Sequence, residues 1–138
     1  MGKTKVTLDT NILISALGWK GNPRKIFNKV IEGEIEFVSS DEQFAELSKT
    51  LDYPKFGFTE EQKDRFKSLI LETATFVKPL EKLDVIKKDP ADNRILEAAI
   101  AGNVNYIVTG DNHLLELKEF KGIRIIKAKD FLDIIKSK

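Results

Sequence analysis

Apolar residues fall along the chain in two alternating rhythms: short continuous runs, and longer stretches with helical spacing. Lys5 to Leu8 and Ile35 to Val38 are too short for helices and read as strands, and Tyr106 to Val108 and Ile123 to Ile126 read as fully buried ones. Thr75 to Val77, stopped by Pro79, adds a short extended segment. Between these runs lie amphipathic stretches. Ile12-Leu13-Ile14 with Ala16-Leu17 follows the first strand at once, and Trp19 to Asn22 is a loop. Pro23 suits a first helical position, where its missing N–H costs nothing. Ile26, Phe27, Val30 and Ile31 then form a buried stripe that Gly33 ends.

Ser40 with Gln43, and Thr59 with Gln62, have capping-box spacing. The first opens a helix carrying Phe44, Leu47 and Leu51, ended by the turn-rich Tyr53 to Gly57; the second opens one carrying Phe66, Leu69 and Ile70. Ala91 to Ala101 is apolar nearly all round and predicts a central helix. Phe131, Leu132, Ile134 and Ile135 mark a last helix. Strands alternating with helices predict an α/β fold: a three-layer α/β/α sandwich about a mainly parallel sheet. No linker, repeat or low-complexity segment divides residues 1–138, so one domain is expected.

Composition narrows the chemistry. The 23 basic residues nearly balance 22 acidic ones, so a polyanion would need a local patch or metal ions. The absence of cysteine excludes disulfides, thiolate catalysis and Cys-based metal sites. No apolar run approaches the ~20 residues of a membrane span, and no secretory pattern opens the chain, so a cytoplasmic location is expected.

Three aspartates remain conspicuous. Asp9 follows the first strand, Asp111 follows Tyr106 to Val108, and Asp92 heads the apolar helix. Each is also a natural helix cap. Yet Ser, Thr or Asn would cap equally well, and a carboxylate stands at each of three helix starts on what should be one rim. Ligands of open α/β sheets bind at that rim. Two carboxylates ~4 Å apart repel by ~4 kcal/mol at an effective dielectric of ~20, which a divalent cation would offset. Asn11, Thr109, Asn93 and Asn112 are compact polar groups suited to orienting a carboxylate or phosphate. Glu46 and Glu42 lie off the apolar stripe, as solvated residues would, Asp89 before Pro90 reads as a turn residue, and His113 as a helix-surface or supporting group.

Asp9-Thr10-Asn11-Ile12-Leu13 resembles the opening of the PIN domain, a metal-dependent nuclease fold. Ala45-Glu46-Leu47 is similar to that family's Glu-Leu helix. Asp89 to Leu96, followed by Tyr106 to Asp111, is similar to its distal acidic block, and the order agrees from Val6 to about Ile126. The resemblance implies that Asp9, Glu46, Asp92 and Asp111 are catalytic acids holding Mg²⁺ or Mn²⁺, the first three around one ion and Asp111 around a second. It implies hydrolysis of RNA phosphodiester bonds, and kinship with single-domain VapC-like toxin ribonucleases restrained by an antitoxin protein. Relatives often carry another acid where this chain has His113.

Lys20, Arg24, Lys87, Lys88, Arg94 and Lys127 are candidate phosphate contacts, and Trp19 and Tyr53 candidate base-stacking rings, with solubilising charge and burial as the plainer roles. A homodimer is plausible for so small a domain. Three other readings stay open. A haloacid-dehalogenase-like phosphatase would want a second aspartate where Asn11 stands. A phospho-receiver would want an acidic pair at the first strand and a lysine after the last. A degenerate PIN scaffold would bind RNA or a protein without cleaving.

Overall fold

The computed structural model describes residues 2–86 and 90–136, Ala91 by its backbone only. The strands are β1 (Lys5–Leu8), β2 (Glu36–Ser39), β3 (Thr75–Phe76), β4 (Tyr106–Val108), β5 (Glu119–Phe120) and β6 (Ile123–Ile126). The helices are α1 (Thr10–Gly18), α2 (Asn22–Ile31), α3 (Asp41–Leu51), α4 (Glu60–Thr73), α5 (Pro90–Ala101), α6 (Asn112–Leu115) and α7 (Ala128–Lys136), with a 3-10 turn at Pro54–Phe56. The strands form a six-stranded sheet in the order β3-β2-β1-β4-β6-β5. Every pairing is parallel except that of β5 with β6.

Alternation along the strands splits the core into two layers, as the two-residue period of a strand requires. Val6, Leu8, Phe37 and Val108 join α1, α2, α3, α4 and α7 on one face. Val38, Ile107, Ile123 and Ile125 join α5 and α6 on the other. The result is the expected α/β/α sandwich. Among the described residues no helix is long and apolar enough to cross a membrane.

The register places the site. From β1 the chain builds outward to β2 and β3 on one side, then crosses to lay β4 against the other side of β1. The strand order therefore reverses between β1 and β4, and the crevice at their carboxyl ends is where α/β sheets bind ligands. Thr7 sits opposite Ile107 and Leu8 opposite Val108, so residues 9 and 109 leave the sheet side by side.

Several expectations need correction. The second strand starts at Glu36 rather than Ile35, because pairing sets Lys5 opposite Glu36. Ile31 is exposed: it ends α2 and lies roughly 140° around the helix from Ile26, off the buried stripe. The capping box forms at Thr59–Gln62, but at Ser40 only half of it does. There the Gln43 N–H donates to Ser40 Oγ at 3.3 Å, while the Gln43 amide oxygen has no partner among the described residues. β5 and α6 have no counterpart in the apolar pattern, being too short to show a period.

The stretch before α5 is strapped to that helix by side chains. Asn93 Oδ1 accepts from the N–H groups of Val85 and Ile86, both at 2.8 Å, and its Nδ2 donates to Ile86 O at 2.7 Å. Buried Glu97 accepts from Leu83 N–H at 2.7 Å and pairs with Arg94 at 2.7 Å, while Arg94 also donates to Leu83 O at 3.0 Å. At the far end of α5, a Cβ on Gly102 would stand 2.6 Å from Val38 Cγ1. Val38 is buried and β-branched, so it has little freedom to yield. Gly102→Ala should lower the unfolding free energy by about 1–3 kcal/mol, read as a lower urea midpoint at unchanged slope.

Candidate active site

The backbone N–H of Asp9 donates to Val108 O at 3.2 Å, holding the residue at the β1–β4 junction. Its carboxylate caps α1: one oxygen accepts from Ile12 N–H at 2.9 Å, satisfying an N–H that the helix start leaves open. The other oxygen accepts from the Thr109 hydroxyl. That hydroxyl in turn accepts from Asp111 N–H at 3.0 Å, so one buried threonine orients two aspartates. Asp111 caps α6 by accepting from His113 N–H at 2.7 Å. Asp92 is buried in the first turn of α5. Glu46 comes from α3 and accepts from the Thr10 hydroxyl at 2.8 Å.

Asp9, Glu46, Asp92 and Asp111 all line one cavity of about 160 Å³, with Thr10, Asn11, Gln43, Thr50, Tyr53 and Ile95 completing the wall. Burial, above all, raises the Asp9 carboxyl above its ordinary value. The hydrogen bonds from Thr109 and Ile12 oppose that rise, and the negative charges of Asp111 and Glu46 add to it. Asp92, Asp111 and His113 form a tighter group, each offering a donor atom within 4.8 Å of the others'.

Other expected supporting residues lie elsewhere. Both ends of the Asn93 amide are taken by residues 85 and 86, so it fixes the approach to α5 rather than a carboxylate. Asn112 is exposed and does not line the cavity. Arg24 donates to Ala16 O at 2.9 Å and Leu17 O at 2.8 Å, closing the end of α1, and Arg94 is engaged by Glu97. Lys20 and Lys127 are exposed. Lys87, Lys88 and Asp89 lie outside the described residues.

Sequence reasoning missed Gln43, Thr10 and Thr50, and assigned Glu46 to solvent on periodicity. The available signal was a second stripe. Gln43, Glu46 and Thr50 are spaced i, i+3, i+7 on α3, a polar stripe that flanks the Leu47–Leu51 stripe, roughly 90° around the helix from it. Gln43 is only 8% exposed, and its amide oxygen has no hydrogen-bond donor among the described residues. A buried acceptor beside four carboxylates, with no donor to meet it, fits a site for a hard cation and its water, which favours oxygen ligands.

The PIN-domain family profile matches residues 5–113. The chain belongs to the PIN-domain family. No curated protein gives a significant match. Among solved structures, this PIN domain is similar to PAE2754 from Pyrobaculum aerophilum, with a TM-score of 0.64 and 14% identity over 98% of this chain and 91% of that one. It is also similar to VapBC2 from Rickettsia felis, bound to a DNA fragment from its promoter, with a TM-score of 0.61 and 17% identity over 88% of this chain and 97% of the other. FitAcB from Neisseria gonorrhoeae follows at a TM-score of 0.56 and 13% identity, covering 90% and 98%. At these identities the likeness is one of fold.

Ionised Asp9 is a cost to the cation-free PIN domain. Asn caps a helix as well as Asp: its oxygen can keep the bond from Ile12 N–H, and its NH2 can donate to the Thr109 oxygen in place of the bond it accepted, without the charge. Asp9→Asn should therefore raise the melting temperature in chelator at neutral pH by roughly 3–5 °C, about 1 kcal/mol. The sign follows from the raised folded value: the carboxyl contributes favourably below about 3.8, and loses that contribution as pH rises through its folded value. The advantage of the variant should accordingly vanish in acid, where the carboxyl is protonated in both states. Scanning calorimetry across pH checks both points.

Proposed function

We propose that this PIN domain is a Mg²⁺- or Mn²⁺-dependent endoribonuclease and the toxin of a toxin–antitoxin pair. PIN domains are usually nucleases that use divalent metals, which supports the reaction class. The VapBC and FitAB neighbours are toxin–antitoxin PIN proteins, which supports a restraining protein partner. The observation that carries the reading is the acidic cavity at the strand switch: Asp9, Glu46, Asp92 and Asp111 around about 160 Å³.

Asp9, Glu46 and Asp92 would hold the first cation, and Asp111 would serve a second. A bound divalent cation supplies charge that lets the carboxylates stay ionised together, and it lowers the pKa of a coordinated water. Thr109 holds one oxygen of Asp9 and Thr10 one oxygen of Glu46, which would spare both carboxylates reorganisation as substrate arrives. Asn11, exposed at the cavity wall, would donate to a phosphate oxygen. The Gln43 amide oxygen adds a neutral hard donor that does not worsen the charge crowding. His113 brings a nitrogen beside Asp92 and Asp111, a donor that Mg²⁺ accepts less readily than transition ions do.

Labelled RNA should be cut in Mn²⁺, more slowly in Mg²⁺, and not in chelator, with Asp9→Asn and Asp92→Asn each lowering turnover by about 100-fold. Cleavage that survives both substitutions would reject these roles. Gln43→Leu should stabilise the protein in chelator, since a buried unmet acceptor costs about 1–3 kcal/mol, yet shrink the rise in melting temperature that Mn²⁺ produces. An unchanged Mn²⁺ response would remove Gln43 from the metal environment.

A further inference from the structure

Tyr53 lines the acidic cavity and is 42% exposed, and from it an aromatic surface runs outward. Its ring lies nearly parallel to Phe56, 5° between planes and 6.5 Å between centroids. Phe56 stacks on Phe58 at 5.8 Å and 14°. Trp19 meets both edge-on, at 6.4 and 6.5 Å, and is 55% exposed. The inner rings are anchored. Phe56 and Phe58 pack against the core, and Phe58 lies so close to Gly18 that a Cβ there would stand 3.1 Å from Cζ. Gly57 adopts a left-handed φ of 62°, which closes the turn between the two phenylalanines. The platform is therefore fixed, and its outer rings face water.

Two large exposed rings on a rigid base are costly unless something covers them. We infer that this surface is a stacking subsite for unpaired nucleobases of a single-stranded RNA whose scissile phosphate lies in the adjoining acidic cavity. The inference rests on the nuclease reading and adds to it a base-binding subsite outside the acidic cavity. Three observations favour a nucleic acid over an apolar peptide. The surface is continuous with the carboxylate cavity through Tyr53. Two of its rings, Trp19 and Tyr53, are exposed and available to an unpaired base, whereas bases in a duplex are already stacked on one another. The Lys55 ammonium stands 5.1 Å over the Phe56 ring, and exposed Lys20 is the next residue after Trp19, so the surface carries positive charge that a phosphate backbone could meet.

Trp19 is the chain's single tryptophan, so intrinsic fluorescence reads this surface directly. The protein would be titrated with a twelve-nucleotide oligoadenylate in Ca²⁺, with a duplex of the same length and inorganic polyphosphate as controls, beside a Mn²⁺ cleavage assay. Saturable quenching is expected with the single strand only. Tyr53→Ala should weaken the quenching titration by about 5- to 150-fold, and Trp19→Ala, which removes the fluorophore, should raise KM in the cleavage assay by a similar factor, with kcat largely kept in both. Tyr53→Phe, which keeps the ring, should restore binding. RNA cleavage with unchanged Trp19 emission, or equal quenching by duplex or polyphosphate, would overturn the subsite and leave the nuclease reading standing. Emission that shifts with protein concentration, and not with RNA, would instead make the surface an interface between copies. Neither binding nor cleavage would reject both readings together.

Discussion

Val6, Thr7 and Leu8 pair in parallel with Tyr106, Ile107 and Val108, and residues a hundred positions apart thereby reach the same sheet edge. The site depends on that ladder. Asp9 N–H continues it to Val108 O, and the Thr109 hydroxyl crosses the gap to the Asp9 carboxylate. Loss of this pairing would separate Asp9 from Asp111 without touching either side chain. The buried layers on both faces of β1 and β4 therefore serve the cavity as much as they serve stability.

The same geometry sets up an electrostatic conflict. Carboxylates brought to one rim repel, and burial further disfavours the ionised form of Asp9. The fold answers locally with donors that are neutral: Ile12 N–H and Thr109 on Asp9, Thr10 on Glu46, and His113 N–H on Asp111. Neutral donors orient the carboxylates without discharging them. A lysine in their place would relieve the strain permanently and leave nothing for a cation to do. Lys63, by contrast, is answered by carboxylates: it pairs with Asp52 at 2.8 Å and Glu60 at 2.6 Å near the α3–α4 turn, where charge is only structural.

What was legible in the residues follows from the range of the forces involved. β1, β4 and β6 were readable to their ends because their apolar residues are too closely spaced for a helical stripe, even with Thr7 in β1 and exposed Arg124 in β6. The aspartates at strand and helix ends were readable because strand polarity alone places them on one rim. Periodicity alone left Glu46 to solvent, since lying off an apolar stripe means solvent only when nothing faces that side of the helix, and only the family resemblance marked it. Gln43 was misread as the second half of a capping box, a local pattern that its side chain does not complete. Asn93 and Arg94 were misread for the opposite reason. Their partners, residues 83 to 86, carry no pattern that would announce a strap.

α3 links the acidic cavity to the aromatic surface. Its apolar residues Leu47 and Leu51 seat it in the core, which fixes the rotation of the helix. That rotation turns Gln43, Glu46 and Thr50 toward the cavity, and the chain leaves the helix directly into Tyr53 and the aromatic turn. A single rigid element thus sets the distance between acidic donors and stacking rings. Loops would let that distance drift, and a metal-assisted displacement tolerates little drift, because the reacting phosphate must sit within a fraction of an ångström of its productive position. Packing of two leucines on the sheet is thereby transmitted, through helix geometry alone, into the alignment that phosphodiester chemistry at this cavity would require.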